Sequence, residues 1–551
     1  MVAANHLYTG RLRSPRLGQY GILASMRFAL MSGFIVLSVA YASDSYPPAR
    51  FTNPDRTRKL ESTMPEIDRI FRDYLTEQKI PGMVWGVVID GRLAHAGTAG
   101  VRDRAANAPV TPETTFRIAS MTKSFTILAI LKLRDEGKLS LEDPVSKWIP
   151  EFARMELPTR DSAPIRIRQL MSHSAGWPED NPWGDQQLAA TDGQVTQWLH
   201  LGIPFSTPPD TRYEYSNYAF GLLGRVVARV SGVPYEKYVQ TEILAKLGMR
   251  DSTFQFSDVP PMKRALGYRL QPDRTYLEEP PLPQGAFSSA GGLLTTAADL
   301  GRYVAFHLSA WPPRDDAETG PVRRSSVREM SHMWTPSNLA AGLAGGKIRA
   351  TESGYGYGLR ISADCRFEHI VGHGGGLPGF GSYMMWLPDY GVGLFAMANL
   401  TYSGPSQPIS RSLDAMLKTG SLQKRELPAS PMLAKMRAHI FHLWKSWDDA
   451  EAAGIASMNL FLDVPAPQRR EEIAKLKEEV GECTAAGPLT AENWLRGQFN
   501  LTCQKGMVGV FYTLSPTQPP LVQHLAFRKI ASDAIRLTAP TGPPAGIACS
   551  E

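Results

Sequence analysis

Four cysteines in 551 residues are too few to build a disulfide scaffold of this size. No charge sign dominates either: 59 Lys and Arg face 53 Asp and Glu, for a net charge of +6. Four of those positive charges, Arg11, Arg13, Arg16 and Arg27, precede Ser43 with no acidic residue among them, and without that segment the net charge is +2. Such a balance is no footprint for nucleic acid or for an anionic membrane. The chain has no low-complexity run and no repeat at a fixed period, which excludes a solenoid or an array. It has no apolar run long enough to cross a bilayer comfortably. The nearest, residues 28–39, follows Arg27 and leads into Ala40-Tyr41-Ala42, an A-x-A cleavage signal. This is the pattern of an export signal, with Met1 and Met26 both open as the start and the mature chain beginning near Ser43. No membrane anchor is then expected in the mature protein, whose place is the periplasm or the medium.

What is present reads as two folded regions. Residues 61–80 have helical periodicity. Residues 83–89 and 92–98 flank Asp90-Gly91, a strong hairpin signal. Helical patterns follow at 120–136, closed by Gly137, and at 218–230, 234–247 and 297–308. Strand patterns return at 380–387 and 392–399, and a helix at 410–417. Two strands early and two late argue for a sheet in which the chain's ends meet, with a helical region inserted. The charged, Pro-bearing stretch LQKRELPASPM, residues 422–432, reads as a linker. Beyond it come helical stretches at 432–450 and 467–480, then strands near 497–503 and 508–514. The organisation expected is a targeting segment (1–42), a linker (43–60), a large α+β domain (61–421), the linker 422–432 and a C-terminal α+β domain (433–551). In an oxidising compartment Cys483 and Cys503 are expected to pair within that last unit; the alternative is two buried free thiols. Cys365 and Cys549 are left unassigned.

Three short motifs carry the chemistry. Ser120-Met121-Thr122-Lys123 opens an apolar helix, where positions i and i+3 share a face and set an ammonium over a hydroxyl. The helix N-terminus favours an anion there, and a buried lysine loses pKa and becomes a base. A capping serine beside a solvated lysine is the bland alternative. A second S-x-x-K, Ser421-Leu422-Gln423-Lys424, lies in the linker with no such helix. Tyr215-Ser216-Asn217 supplies a phenol, whose pKa a neighbouring cation lowers, and an amide able to bond a substrate or the lysine. The third motif lies in GHGGGLPGFGS, residues 372–382, which admits three readings. A nucleotide loop, G-x-G-x-x-G, fails because a strand follows and not a helix. An α/β-hydrolase oxyanion loop fails because no G-x-S-x-G elbow comes after it. The remaining reading is one wall of a serine acyl-transferase site.

Taken in order, Ser120-Met121-Thr122-Lys123, Tyr215-Ser216-Asn217 and His373-Gly374-Gly375 resemble the motifs of the serine β-lactamase and penicillin-binding protein superfamily. The likeness is to its class C-like branch, which includes esterases and D-aminopeptidases. Phe116-Arg117-Ile118-Ala119, Leu170-Met171-Ser172-His173-Ser174-Ala175-Gly176 and Ala290-Gly291-Gly292-Leu293 agree with it, over about residues 60 to 420. The family's third motif is usually K-T-G on a strand; here His373 replaces the lysine. The literal Lys418-Thr419-Gly420 is a decoy at a helix end. The resemblance implies an α+β fold, an antiparallel sheet flanked by helices plus a helical region. It makes Ser120 the nucleophile and Lys123 and Tyr215 the proton carriers. Asn217, His373, Gly375 and Gly376 become substrate-binding, with the N–H groups of Ser120 and Gly376 as the oxyanion hole. His373 is expected to orient Tyr215 or to meet a substrate carboxylate, with less permanent charge than a lysine. No metal or organic cofactor is called for.

The activity implied is exported hydrolysis of an ester or amide bond, D-aminoacyl amides included, in a small-molecule or peptide substrate. β-Lactamase or penicillin-binding activity is the alternative, as is an idle fold kept to bind a cell-wall component or a partner. Trp177, Trp183 and Tyr218 either line the cleft or pack beside it. The C-terminal domain faintly resembles accessory domains of the cystatin or nuclear-transport-factor-2-like type. Oligomeric state is not readable from the sequence.

Overall fold

The computed structural model describes residues 46–181, 183–344 and 347–530. The leader and its cleavage signal, residues 28–42, lie outside the described residues, as does Cys549. No helix among the described residues is long and apolar enough to cross a membrane.

In chain order, α1 (Met64–Glu77), β1 (Gly82–Ile89), β2 (Arg92–Asp103), α2 (Thr122–Asp135), α3 (Asn217–Ser231) and α4 (Ala297–Ser309) come first. Then follow β3 (Thr335–Ala344), β4 (Lys347–Tyr355), β5 (Arg360–Asp364), β6 (Ile370–Leu377), β7 (Phe380–Leu387), β8 (Val392–Ala398) and α5 (Ser406–Lys418). The main sheet runs Ala108–Pro109, β2, β1, β8, β7, β6, β5, β4, β3, nine strands among the described residues. Neighbouring strands pair antiparallel, and the chain's early hairpin meets the late strands at β1 and β8, Met83 opposite Ala398.

Residue alternation explains why β1 is buried along its whole length. Val84 and Val88 point into one apolar cluster, while Met83, Trp85, Val87 and Ile89 point into another. The second cluster is filled by one face of α1 (Ile67, Phe71) and of α5 (Ile409, Leu413, Met416). The first is larger and holds α2, α3 and α4. Helix α2 is buried on nearly every side, as a central helix must be. The expected hairpin at Asp90-Gly91 is formed, with both residues at positive φ. Lys418-Thr419-Gly420 closes α5, Gly420 taking φ +66° as a helix-ending glycine does.

The C-terminal region has its own apolar cluster. Helices α6 (Pro431–Lys445) and α7 (Ala466–Val480) precede five antiparallel strands: β9 (Cys483–Ala486), β10 (Thr490–Asn493), β11 (Arg496–Cys503), β12 (Gly506–Leu514) and β13 (Val522–Ile530). Cys483 and Cys503 stand opposite each other across β9 and β11 and form a disulfide. Cys365 is disulfide-bonded as well. The charged stretch between the two regions is pinned: Arg50 and Glu426 exchange backbone hydrogen bonds at 2.9 and 2.8 Å, and Arg425 donates to Pro388 O at 2.6 Å.

Candidate active site

The serine stands at a bend. Residues Ala119–Met121 form a single 3-10 turn ahead of α2, with Ala119 at φ +48°, a conformation that costs a β-carbon-bearing residue roughly 1–3 kcal/mol and is kept only where the surroundings impose it. Those surroundings are visible: Ile118 N donates to Leu293 O at 3.0 Å, and Leu293 N donates to Thr122 Oγ1 at 3.1 Å.

One turn on, Lys123 is wholly buried. Its Nζ lies 3.0 Å from Ser120 Oγ, 2.5 Å from Asn217 Oδ1 and 2.9 Å from Ala290 O. The last contact comes from a one-turn helix, Ser288–Gly291, and gives the Ala290-Gly291-Gly292-Leu293 stretch a role. Burial lowers the lysine to about 8, against the attraction of Asp185, Asp180 and Glu179.

Tyr215-Ser216-Asn217 is held from four directions. Ser216 caps α3, its Oγ accepting from Ala219 N at 3.2 Å. Asp180 accepts from Asn217 N at 2.7 Å and Tyr218 N at 2.8 Å, so a carboxylate from outside the helix satisfies its first turn. His173 Nδ1 accepts from Ser216 N at 3.1 Å, and Asn217 Nδ2 donates to Asn181 Oδ1 at 2.5 Å. The tyrosine ring centroid is 4.9 Å from Lys123 Nζ.

The phenol of Tyr215 is pushed well above its ordinary value by burial, although a hydrogen bond with Ser120 and the charge of Arg360 pull the other way. The expected lowering by a neighbouring cation does not occur, because a phenolate loses more by desolvation here than the cation returns.

His373, on β6, has both ring nitrogens engaged. Gly374 O, 2.5 Å from Nδ1, only accepts, so the proton sits on Nδ1 and Nε2 accepts from the Tyr355 hydroxyl at 2.8 Å. Burial first, then Arg360 and Lys123, hold the imidazole well below its ordinary pKa and keep it neutral. Its ring lies 6.3 Å from that of Tyr215. Gly375 is required by packing: a Cβ there would stand 2.1 Å from Ile118 O, so the glycine lets β6 close on the serine turn. At Gly376 a Cβ would meet the Tyr402 ring at 2.5 Å.

Beside Asp180 and Ser216 opens a pocket of about 420 Å³ walled by Trp177, Trp183, Trp198 and Tyr218. Trp177 is buried, while Trp183 is half exposed at the rim.

Sequence reasoning passed over Asp180, Asp185, Tyr355 and Arg360. The first is 37 residues from the helix it caps, beyond any local capping pattern. Arg360 opens β5 opposite Gly372 of β6 and is exposed; only strand pairing brings it to the site.

The family model for beta-lactamase matches residues 67–415 of the chain. Protein flp of Staphylococcus aureus is 29% identical over 345 residues, 62% of this chain and 64% of its own. Beta-lactamase-like protein 2 of Dictyostelium discoideum is 32% identical over 291 residues, 52% of each. The matches thus span less than two thirds of the length of these curated relatives. Among solved structures, the octameric penicillin-binding protein homologue from Pyrococcus abyssi superposes with a TM-score of 0.55 at 23% identity, over 86% of this chain and 95% of that one. A mutant class C beta-lactamase gives 0.50 at 21%, over 67% and 99%. At these identities the two structures speak for the fold alone.

Proposed function

Because the chain belongs to the beta-lactamase family, we propose that it is a serine hydrolase that opens an ester or amide bond through an acyl-enzyme on Ser120. One observation carries this reading, the partner set of Lys123. Two of its three partners, Asn217 Oδ1 and Ala290 O, are oxygens that only accept. They hold two protons on Nζ whatever the charge. The third partner is a hydroxyl, which can donate as well as accept. When the lysine is neutral, its lone pair is therefore aimed at Ser120 Oγ, and a pKa near 8 makes that state accessible.

In the reaction Ser120 Oγ attacks the carbonyl carbon as its proton passes to Lys123. The N–H groups of Ser120 and Gly376 receive the negative oxygen; removing one such donor typically costs about 10²–10³ in rate. Tyr215, a neutral phenol beside the serine, hands a proton to the leaving group. Water then cleaves the acyl-enzyme by the reverse transfers. The aromatic pocket beside Asp180 suits an apolar arm of the substrate, and the engaged, neutral His373 suits a positioning role. The Cys483–Cys503 disulfide supports a place outside the cytoplasm, where such bonds persist.

The test compares the protein with Ser120→Ala on a short-chain nitrophenyl ester, a D-alanyl anilide and a chromogenic cephalosporin, together with labelling by a fluorophosphonate. Labelling and turnover are expected to vanish in a variant whose far-ultraviolet circular dichroism is unchanged, and the preferred substrate then assigns the class. Undiminished labelling of the folded variant would overturn the reading.

A further inference from the structure

An apolar arm accounts for the rings of the pocket beside Ser216, but not for the charge around them. Three of its walls, Trp183, Trp198 and Tyr218, have ring centroids 5.4, 6.3 and 6.3 Å apart and are turned against one another by 59°, 17° and 49°. Trp177 adds a fourth ring, 5.7 Å from that of Tyr218. Rings set at such angles present their electron-rich faces in more than one direction.

Two carboxylates, Glu179 and Asp180, share the lining, and Asp185 is near enough to feel both. Their hydrogen bonds come from neutral groups. Glu179 accepts from Asn181 Nδ2 at 2.8 Å and Asp185 from the Tyr402 hydroxyl at 3.3 Å. Asp180 accepts at Oδ1 from Asn217 N, and at Oδ2 from Tyr218 N and the Ser216 hydroxyl. Among the described residues no Lys, Arg or His nitrogen lies within 4.0 Å of any of the three. Lys123 acts on Asp180 and Asp185, and Arg360 on Glu179, from farther off. Burial raises all three carboxyls, Asp185 to about 6, so each gains from a cation brought close.

The kind of cation follows from what is already occupied. Both oxygens of Asp180 accept from the chain, so a primary ammonium, with three N–H groups to satisfy, is poorly served here. A methylated ammonium has none to satisfy. Its methyl groups pack on the rings, and its diffuse charge meets their faces and the carboxylates together.

We infer that the pocket walled by Trp183, Trp198 and Tyr218 takes a methylated ammonium group on an arm of the substrate, favoured by the charge of Glu179 and Asp180. The inference rests on the hydrolase reading for its setting and adds a substrate class to it: esters or amides carrying a trimethylammonium group.

The test uses nitrophenyl esters with acyl chains of increasing length, each ending in trimethylammonium or in tert-butyl, its neutral isostere. At the best spacing the wild type should favour the cation by about tenfold in kcat/KM, within the range a cation–π contact supplies. Trp183→Leu, at the exposed rim, keeps apolar surface but no ring face and should erase most of that ratio; Trp183→Phe should restore part of it. Glu179→Gln should lower it by about threefold, the scale of one half-screened charge. A Trp183→Leu variant that slows both esters alike and leaves the ratio standing would overturn the inference. So would a wild type that treats both esters alike, or prefers tert-butyl, at every spacing.

A second arm separates this from the parent reading. Ser120→Ala, alone and combined with Trp183→Leu, is titrated calorimetrically with choline and with 3,3-dimethylbutanol. Tighter binding of choline that depends on Trp183, without serine-dependent turnover of any ester, upholds the aromatic site and sinks the hydrolase. Serine-dependent turnover with no preference for the cation in either arm does the reverse.

Discussion

Lys123 and Arg469 are both buried cations with three hydrogen-bond partners, one in each region of the molecule. Arg469 donates from Nε to Val464 O at 3.1 Å, from Nη1 to Leu525 O at 3.0 Å and from Nη2 to Leu460 O at 3.0 Å. All three are backbone carbonyls, and together they tie α7 to β13, to the bend at Val464 and to the short helix Met458–Asp463. A guanidinium stays charged even when burial lowers its pKa, as it does here. Lys123 differs in two respects: an amine can lose its proton, and one of its partners is a hydroxyl. Burying a cation is thus not in itself a sign of chemistry. The sign is a partner set that works in both protonation states, which Lys123 has and Arg469 lacks.

The largest effect expected follows from that difference. Lys123→Arg keeps the charge but cannot deprotonate, and Lys123→Met removes both; each should lower kcat/KM by about 10³-fold, within the span usual for a lost general base. Steady-state kinetics on the ester panel checks this, and a Lys123→Arg variant within tenfold of wild type would break the comparison. In the wild type kcat/KM should rise about tenfold per pH unit up to about 8 and level off above it. Stability carries the same sign. Between about 8 and the ordinary value of 10.5 the unfolded chain holds a proton on this lysine that the folded chain has released. Lys123 therefore weighs against folding most below about pH 8, and the penalty relaxes as pH rises through that window.

Arg469→Met gives the counterpart. It strands three carbonyls in the C-terminal core, and each unsatisfied buried group costs about 1–3 kcal/mol. A loss of about 3 kcal/mol in chemical denaturation of the C-terminal region is expected, with kcat/KM per folded molecule unchanged. A fall in kcat/KM with the fold intact would mean that the two regions are functionally coupled.

How far the sequence shows this contrast depends on the distance over which each feature is written. Ser120 and Lys123 are legible because i and i+3 on one helix are local, and the β1–β2 hairpin is legible because Asp90-Gly91 dictates its turn. The order of the motifs gave the fold. Strands β3 to β5 went unseen: residues 335–364 have little alternation, and their strand character comes from pairing with one another and, through β5, with β6. Arg360 is a lone arginine after Gly354-Tyr355-Gly356-Tyr357-Gly358-Leu359, with nothing periodic about it. Its position depends on a register, Arg360 opposite Gly372, that no local pattern records. The charge state of His373 and the raised pKa of Tyr215 were hidden for a related reason. Residue type supplies the ordinary pKa, but burial sets the actual one, and burial is a property of the assembled fold.

The smallest effect separates the regions most finely, because it holds the chemistry constant. Ser216 and Ser430 are both helix N-caps: Ser216 Oγ accepts from Ala219 N at 3.2 Å and Ser430 Oγ from Leu433 N at 3.1 Å. Each also donates outward, Ser216 to Asp180 Oδ2 at 3.4 Å and Ser430 to Trp494 O at 2.9 Å. Replacing either by alanine should cost about 1 kcal/mol of stability, the usual worth of such a cap. Ser216, however, lies between Tyr215 and Asn217, so loosening its turn moves the phenol beside Ser120 and the amide that holds Lys123. Ser216→Ala should therefore lower kcat/KM by roughly three- to tenfold, since small misplacements of reacting groups are costly, while Ser430→Ala leaves it unchanged. Equal destabilisation with kcat/KM within twofold of wild type in both variants would mean that Asp180 and His173 hold the Tyr215–Asn217 turn without the cap. The functional difference between the two regions would then rest on the partners of Lys123 alone.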